Sequence, residues 1–237
     1  TQVQSEARLD SAMTRRSRGQ FRVEYLGREE SDLGSMALKV LEKARQDIGD
    51  CFGYQPEETL LVKIYSSEHA KTLNYGPHWA AGVYDGKIRV RSEDVRSGGG
   101  RLEDVLYHEY MHAVLHGLTR QNIPTWLNEG LAQCFEPQGG KVRKAEVIQL
   151  RRWVNQGQYI PMASLGGSFI EFSSELSQQV YLESKLFVNY LMEPDDGRQI
   201  LNLLQALGKG MDIEQAIQSV YRISLVELEN QWLAELR

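Results

Sequence analysis

Residues 102–118 read LEDVLYHEYMHAVLHGL, and residues 124–135 read PTWLNEGLAQCF. Apolar residues recur at helical spacing in both stretches, which predicts two helices that each bury one face. The first helix is expected to end near Gly117, and the polar segment at 119–123 leaves room for the chain to reverse. The second helix would then run back alongside the first.

The segments that precede this pair of helices are patterned mainly as strands. Apolar and polar residues alternate over 21–26, which predicts a half-buried strand, and residues 60–65 predict a second one. A helix with one apolar face is expected between them, over 35–52.

A hairpin is predicted over residues 82–91. Asp85-Gly86 lies between two short strand-like runs, and this dipeptide favours a tight turn. The basic residues of the second arm, Lys87, Arg89 and Arg91, indicate that this arm has a solvent-facing side.

The segments that follow the pair are helical. Helices are predicted at 144–155, 174–191 and 198–207, and two more close the chain. This order of strands first and helices after predicts an α+β fold, with a small twisted sheet edged by the hairpin and a helical C-terminal lobe. We divide the chain into a polar lead-in at 1–20, an α/β lobe at 21–118 and a helical lobe at 119–237, with the two lobes forming one integrated domain.

Composition limits the class of protein. The chain has 237 residues, 41% of them hydrophobic, and a net charge of −5. An excess of acids disfavours nucleic acid as a partner, because such binding requires excess cations. No apolar run approaches the length that a membrane span requires. The two cysteines, Cys51 and Cys134, are expected to be buried free thiols, with a single disulfide as the alternative.

The segment His108-Glu109-Tyr110-Met111-His112 contains the HExxH pattern on a predicted helix. Residues four apart lie about one turn apart on the same helix face, so the imidazoles of His108 and His112 can bind one zinc ion. Glu109 is adjacent and can act as a general base on a water bound to the metal. The alternative is that both histidines are ordinary helix residues in a structural domain.

A third ligand would decide between these interpretations, because catalytic zinc has three protein ligands and one open position. His116 lies on the same helix but is rotated by about 80° from His108, so it is poorly placed to bind the same ion. Glu129, which is 17 residues after His112 on the returning helix, is the better candidate. Alone, Glu129 would be interpreted as an acid in the first turn that complements the helix dipole.

These two motifs, HExxH and Trp126-Leu127-Asn128-Glu129-Gly130-Leu131-Ala132, resemble the gluzincin metallopeptidases and, within them, the bacterial peptidase MA-like domains. The resemblance implies a thermolysin-like architecture, one Zn²⁺ ion held by His108, His112 and Glu129, and Glu109 as the general base. It also implies that Tyr181 stabilises the oxyanion. It further implies a peptide or protein substrate, a neighbouring helical-repeat domain in a larger protein, and an extracytoplasmic location.

The sequence departs from the resembled enzymes at two points. Thermolysin-like enzymes place an aspartate four residues after the glutamate ligand to orient a histidine, and this chain has Gln133 there. Aminopeptidases of this group carry a glutamate for the substrate amine, and the comparable segment at 78–83 has none. We therefore expect an endopeptidase that binds an extended peptide along the edge at 81–90. The alternative is a zinc-binding but catalytically silent interaction module.

Overall fold

The computed structural model describes residues 13–26, 31–66, 82–96, 101–169, 172–193 and 197–236. The described strands are β1 (Thr14–Arg18), β2 (Phe21–Tyr25), β3 (Leu60–Tyr65), β4 (Gly82–Tyr84) and β5 (Ile88–Arg91). The described α-helices are α1 (Ser31–Phe52), α2 (Ser92–Arg96), α3 (Arg101–Thr119), α4 (Thr125–Cys134), α5 (Lys144–Asn155), α6 (Ser174–Met192), α7 (Arg198–Gly208), α8 (Ile213–Tyr221) and α9 (Leu225–Glu235). A single 3₁₀ turn, Met162–Ser164, lies between α5 and α6 in this described part. The predicted α+β class is confirmed.

The chain falls into two compact units. The first lies within residues 1–113 and also includes 136–138, and the second comprises 114–135 and 139–237. Helix α3 is continuous across residue 113. None of the described helices has both the length and the apolar character that crossing a membrane requires.

The first unit is built on a mixed sheet with the strand order β1-β2-β3-β5-β4. The central strands β2, β3 and β5 pair in parallel, and the outer strands β1 and β4 are antiparallel to their neighbours. Most side chains of the three central strands are buried, as expected for parallel strands that are covered on both faces.

Strand β1 lies in the segment that the sequence predicted as a polar lead-in. All of its side chains are exposed, so the strand has no apolar alternation that could reveal it. Its backbone pairs with β2, and Arg15 forms an ion pair of 2.9 Å with Glu24. Residues 1–12 of the predicted lead-in lie outside the described residues.

The predicted hairpin is confirmed as β4 and β5, with Gly86 in the left-handed region at φ +91°. The expectation that Arg89 faces solvent is wrong, because its side chain is buried and forms an ion pair with Asp85. In register, Arg89 is the neighbour of Lys63, and Lys63 is the neighbour of Glu24. These three buried charges therefore form a row across one face of the sheet, where the acid compensates part of the positive charge.

The opposite face of β2 packs against helices α1 and α3. Gly34 of α1 lies so close to the ring of Tyr25 that a Cβ atom there would come within 2.6 Å of it. The ring of Phe21 meets that of Tyr110 of α3 edge to face, with 5.7 Å between the centroids. The first contact fixes α1 against the sheet, and the second anchors one side of α3 to it.

The second unit has an aromatic core made by three helices. Phe187 of α6 contacts both Trp126 of α4 and Trp232 of α9, with centroid distances of 5.4 and 5.0 Å. Gly130 permits α4 to pack closely on α6, because a Cβ atom at this position would lie 2.6 Å from the carbonyl oxygen of Ser184. A larger residue at 130 would force the two helices apart.

The two closing helices both begin with a side-chain cap. Ser224 and Glu227 form a reciprocal capping box at the start of α9. At the start of α8, the side chain of Asp212 accepts a hydrogen bond from the backbone of Gln215, which is the first half of such a box.

Both described cysteines are free thiols, so the alternative of a disulfide is excluded. Cys51 is exposed and Cys134 is partly buried. The expectation of burial is therefore wrong for Cys51, which lies on the solvent side of α1.

Two buried carboxylates, Glu183 of α6 and Glu229 of α9, hold the segment that precedes α6. Glu229 accepts hydrogen bonds from the hydroxyl of Tyr159 and from the backbone of Met162, the latter at 2.8 Å. Glu183 accepts from the backbone of Ile160 at 3.3 Å and from the amide of Gln179 at 2.9 Å. Burial raises the pKa of Glu183 to about 7, and the negative charge of Glu229 adds to this shift.

We predict that replacing Glu183 with Gln changes the pH dependence of stability. The carboxyl of Glu183 binds its proton more tightly in the folded chain than in the unfolded one. Its contribution is therefore fully present below pH 4.5, is lost as pH rises to about 7, and is constant above that. The loss amounts to roughly 3 kcal/mol at most, from about 1.4 kcal/mol per pH unit.

Urea unfolding at a series of pH values measures this effect. The free energy of unfolding of wild type should fall relative to that of Glu183→Gln between these two pH values. Glu175→Gln, an exposed change on the same helix, should behave as wild type. Parallel pH curves for wild type and Glu183→Gln would contradict the prediction.

Candidate metal centre

Helix α3 presents His108 and His112 on one face and is anchored on the other. The two imidazole rings lie 4.8 Å apart between centroids, nearly perpendicular to each other. On the anchored side, Tyr110 is buried against the sheet and the hydroxyl of Tyr107 donates a hydrogen bond of 2.5 Å to Asp47 of α1. Burial raises the pKa of Tyr110 to about 12, so it remains a neutral core residue.

The structure brings together the three metal ligands that the sequence predicted. One potential ligand atom from each of His108, His112 and Glu129 lies within 4.8 Å of the other two. All three residues are partly buried. His116 is exposed and does not belong to this group, in agreement with its poor predicted geometry.

This donor set fits a zinc ion. Two imidazole nitrogens and one carboxylate oxygen are the ligands of many catalytic zinc sites. Bonds of about 2.1 Å in a tetrahedral site separate ligand atoms by roughly 3.4 Å. The observed spacing, with all three atoms within 4.8 Å of one another, is close to that value.

Glu136 is a residue of this site that the sequence analysis missed. Its carboxylate oxygen lies 2.9 Å from Nδ1 of His108. A carboxylate that accepts a hydrogen bond from one ring nitrogen fixes the tautomer and the ring orientation, so that Nε2 faces the metal. Glu136 is therefore in a position to orient the ring of His108.

The segment that carries Glu136 is fixed to α3 at a second point. The backbone N–H of Gln138 donates a hydrogen bond of 2.8 Å to Asp104, which lies one turn before His108. Residues 136–138 therefore lie alongside α3 over about one helical turn. An acid just past the C-terminal end of α4 is unfavourable for the helix dipole, and this mismatch is the signal in the sequence that points to another role for Glu136.

The chain that follows this segment is held by a buried ion pair. Lys185 of α6 lies 3.0 Å from Glu146 of α5, and it also donates a hydrogen bond of 2.7 Å to the carbonyl of Gly139. Burial opposes the ionisation of Glu146, but hydrogen bonds from Arg143 and Lys185 outweigh it and lower the pKa of Glu146. Glu146 therefore stays ionised, and its pair with Lys185 restrains the loop between α4 and α5.

Gln133 has a different role from the aspartate of the resembled enzymes. Its side-chain amide donates a hydrogen bond of 2.8 Å to the backbone carbonyl of Tyr181. Gln133 lies one turn after Glu129 on α4, so this bond fixes the backbone of Tyr181 against the helix that carries the predicted ligand. The ring of Tyr181 meets that of Phe169 edge to face at 5.5 Å.

The predicted general base, Glu109, is buried within α3, directly after His108. Most of the segment at 78–83 that argued against an aminopeptidase, and the first residue of the predicted substrate edge at 81–90, lie outside the described residues.

A comparison with protein families matches residues 42–237 to the peptidase MA superfamily. A comparison with curated proteins gives no match. The matched region covers both helices of the candidate metal centre and most of the chain, and the match indicates a metallopeptidase-type domain. The chain belongs to the peptidase MA superfamily.

We predict that replacing Glu136 with Ala weakens the binding of Zn²⁺ by about ten- to a hundredfold, because His108 loses the group that orients it. Titration against a competing chelator measures this affinity. Glu214→Ala, which removes an exposed acid on α8, is the control and should bind Zn²⁺ as wild type does. Equal affinities for wild type and Glu136→Ala would exclude the supporting role.

Proposed function

We propose that this protein is a zinc-dependent metallopeptidase that hydrolyses peptide bonds. The observation that carries the proposal is the convergence of His108, His112 and Glu129, with the His108 ring held by Glu136. A purely structural domain has no need for two imidazoles and a carboxylate within 4.8 Å of one another. Membership of the peptidase MA superfamily supports the same reaction class.

The ligands would be Nε2 of His108, a ring nitrogen of His112 and a carboxylate oxygen of Glu129. A bound zinc ion would supply a water of lowered pKa and polarisation of the scissile carbonyl. The helix α3 contributes the positioning of the two histidines, because its opposite side is anchored by Tyr107 and Tyr110.

Glu109 moves the proton in the proposed reaction. Its carboxylate accepts a proton from the attacking water as the water oxygen bonds to the carbonyl carbon. The bond between this carbon and the amide nitrogen then breaks, and Glu109 delivers the proton to the leaving amine. Burial of Glu109 favours this role, because bulk water does not compete strongly for its carboxylate.

Tyr181 is the proposed donor to the carbonyl oxygen as negative charge develops on it. A phenol is suited to this task, because it donates a hydrogen bond and carries no charge of its own at neutral pH. The hydrogen bond from Gln133 to its backbone supports the assignment, since it couples Tyr181 to the helix that carries Glu129.

The proposed substrate is an extended peptide that is cleaved at internal bonds, in a thermolysin-like arrangement. Strand β4 lies at one edge of the sheet, where a peptide could add as a further strand. We also propose an extracytoplasmic location and a neighbouring helical-repeat domain, on the basis of the resemblance to bacterial peptidase MA-like domains.

The alternative is a module that binds zinc but does not hydrolyse peptides. The observation that favours it is the glutamine at position 133, where thermolysin-like enzymes place an aspartate. This alternative predicts stoichiometric zinc without turnover of denatured casein or of a peptide library.

We predict that replacing Glu109 with Gln preserves zinc binding and lowers kcat by roughly a hundred- to ten-thousandfold, because the general base is lost. Elemental analysis measures the zinc, and hydrolysis of denatured casein measures the rate. Glu103→Gln on the same helix is the matched control and should retain activity.

Three outcomes separate the alternatives. Wild-type protein without stoichiometric zinc would contradict the metal centre. Zinc without hydrolysis in wild type would establish the silent module. Unchanged hydrolysis in Glu109→Gln would remove Glu109 from the mechanism.

We predict that replacing Tyr181 with Phe lowers kcat by roughly a hundred- to a thousandfold while zinc content and KM remain unchanged, because a donor to the oxyanion is lost. Tyr190→Phe, on the same helix, is the control. A change confined to KM would place Tyr181 in substrate binding instead.

A further inference from the structure

Helix α5 and the residues just before it carry a concentration of positive charge. Residues 141–155 contain five cations and one acid, which gives a local net charge of +4 in a chain whose net charge is −5. The acid, Glu146, is buried and paired with Lys185 and Arg143. The exposed surface of this segment therefore carries cations without any acid.

The outward face of α5 has an apolar centre. Ile148 is 49% exposed. At about 100° per residue, Lys144, Arg151 and Arg152 all lie within roughly 60° of Ile148 around the helix. We call this surface the basic face of α5, and we define it by Lys144, Ile148, Arg151 and Arg152.

The cations of the basic face are available to an external partner. All three are exposed. Arg152 makes a hydrogen bond of 3.3 Å with Gln149, which leaves its charge uncompensated. Within the described part of the chain, neither Lys144 nor Arg151 has an acidic partner. Val142, directly before the helix, adds a second apolar side chain that is 37% exposed.

We propose that the basic face of α5 docks this protein on the surface of a bilayer that contains anionic phospholipid. A helix that lies in such an interface places cations against the headgroups and inserts apolar side chains toward the acyl chains. The basic face has both elements on a single side, with Ile148 at the centre of its cations. The helix would lie on the membrane, not across it.

The exposed isoleucine favours a bilayer over the other anionic partners. Binding to nucleic acid phosphates uses the cations and gives no role to Ile148. The net charge of −5 does not prevent docking on a bilayer, because exposed charges more than about 10 Å away are screened at 0.1 M salt. The local charge of the basic face therefore decides the interaction.

Sedimentation with vesicles tests the proposal on the full chain. Wild type should bind vesicles of phosphatidylcholine with phosphatidylglycerol and should not bind phosphatidylcholine alone, and added salt should weaken the binding. The double variant Arg151→Glu/Arg152→Glu should lose at least roughly tenfold in affinity. Ile148→Ser, which keeps every charge, should lose the part of the binding that resists salt.

The matched control reverses two exposed cations on α1, Lys39→Glu/Lys43→Glu, and changes the net charge by the same amount. It should bind the vesicles as wild type does. Circular dichroism confirms that each variant is folded. The proposal is overturned if wild type does not bind the anionic vesicles, if both double variants lose the same affinity, or if wild type binds polyglutamate or RNA in preference to the vesicles. Because binding is measured instead of hydrolysis, the result does not depend on the proposed peptidase activity.

Discussion

The candidate site depends on the rigid placement of helix α3. Two imidazoles can share one metal ion only if the helix between them neither rotates nor frays, and most of the stability of a helix in a protein comes from the packing of its apolar face. Here the side opposite the histidines is fixed by Tyr110 against the sheet and by the hydrogen bond from Tyr107 to Asp47. The free energy that orders the site therefore comes from packing on a surface that does not touch the metal ligands.

Buried charge has a second organising role in this protein. The pair of Lys185 and Glu146 restrains the loop between α4 and α5, and Glu183 and Glu229 restrain the segment before α6. Taking such groups out of water is costly, so they stabilise the fold only because each makes several hydrogen bonds. These groups hold the backbone in one geometry, because each carboxylate accepts a hydrogen bond from a backbone N–H group that has no partner within a helix or strand.

The sequence was sufficient to predict the features that repeat along the chain. Helical periodicity located α3, α4 and the helices that follow, and the dipeptide Asp85-Gly86 located the hairpin. The sequence was insufficient where two residues in contact are distant along the chain, or where a strand has no apolar pattern. Strand β1 exposes all of its side chains and so has no apolar signal, and Arg89 is buried by neighbours in register that are distant in sequence. Glu136 was missed for the same reason, because its contact with His108 spans 28 residues.

The position of Glu136 has a consequence for how chains of this kind diverge. A histidine that binds a metal donates its other ring N–H to an acceptor, and a carboxylate can provide this acceptor from position 133, within helix α4, or from position 136, just beyond its end. The two positions are then mutually compensating, and an alignment of relatives should show an acid at one or the other. In a relative with neither acid, we expect the metal to be bound less tightly.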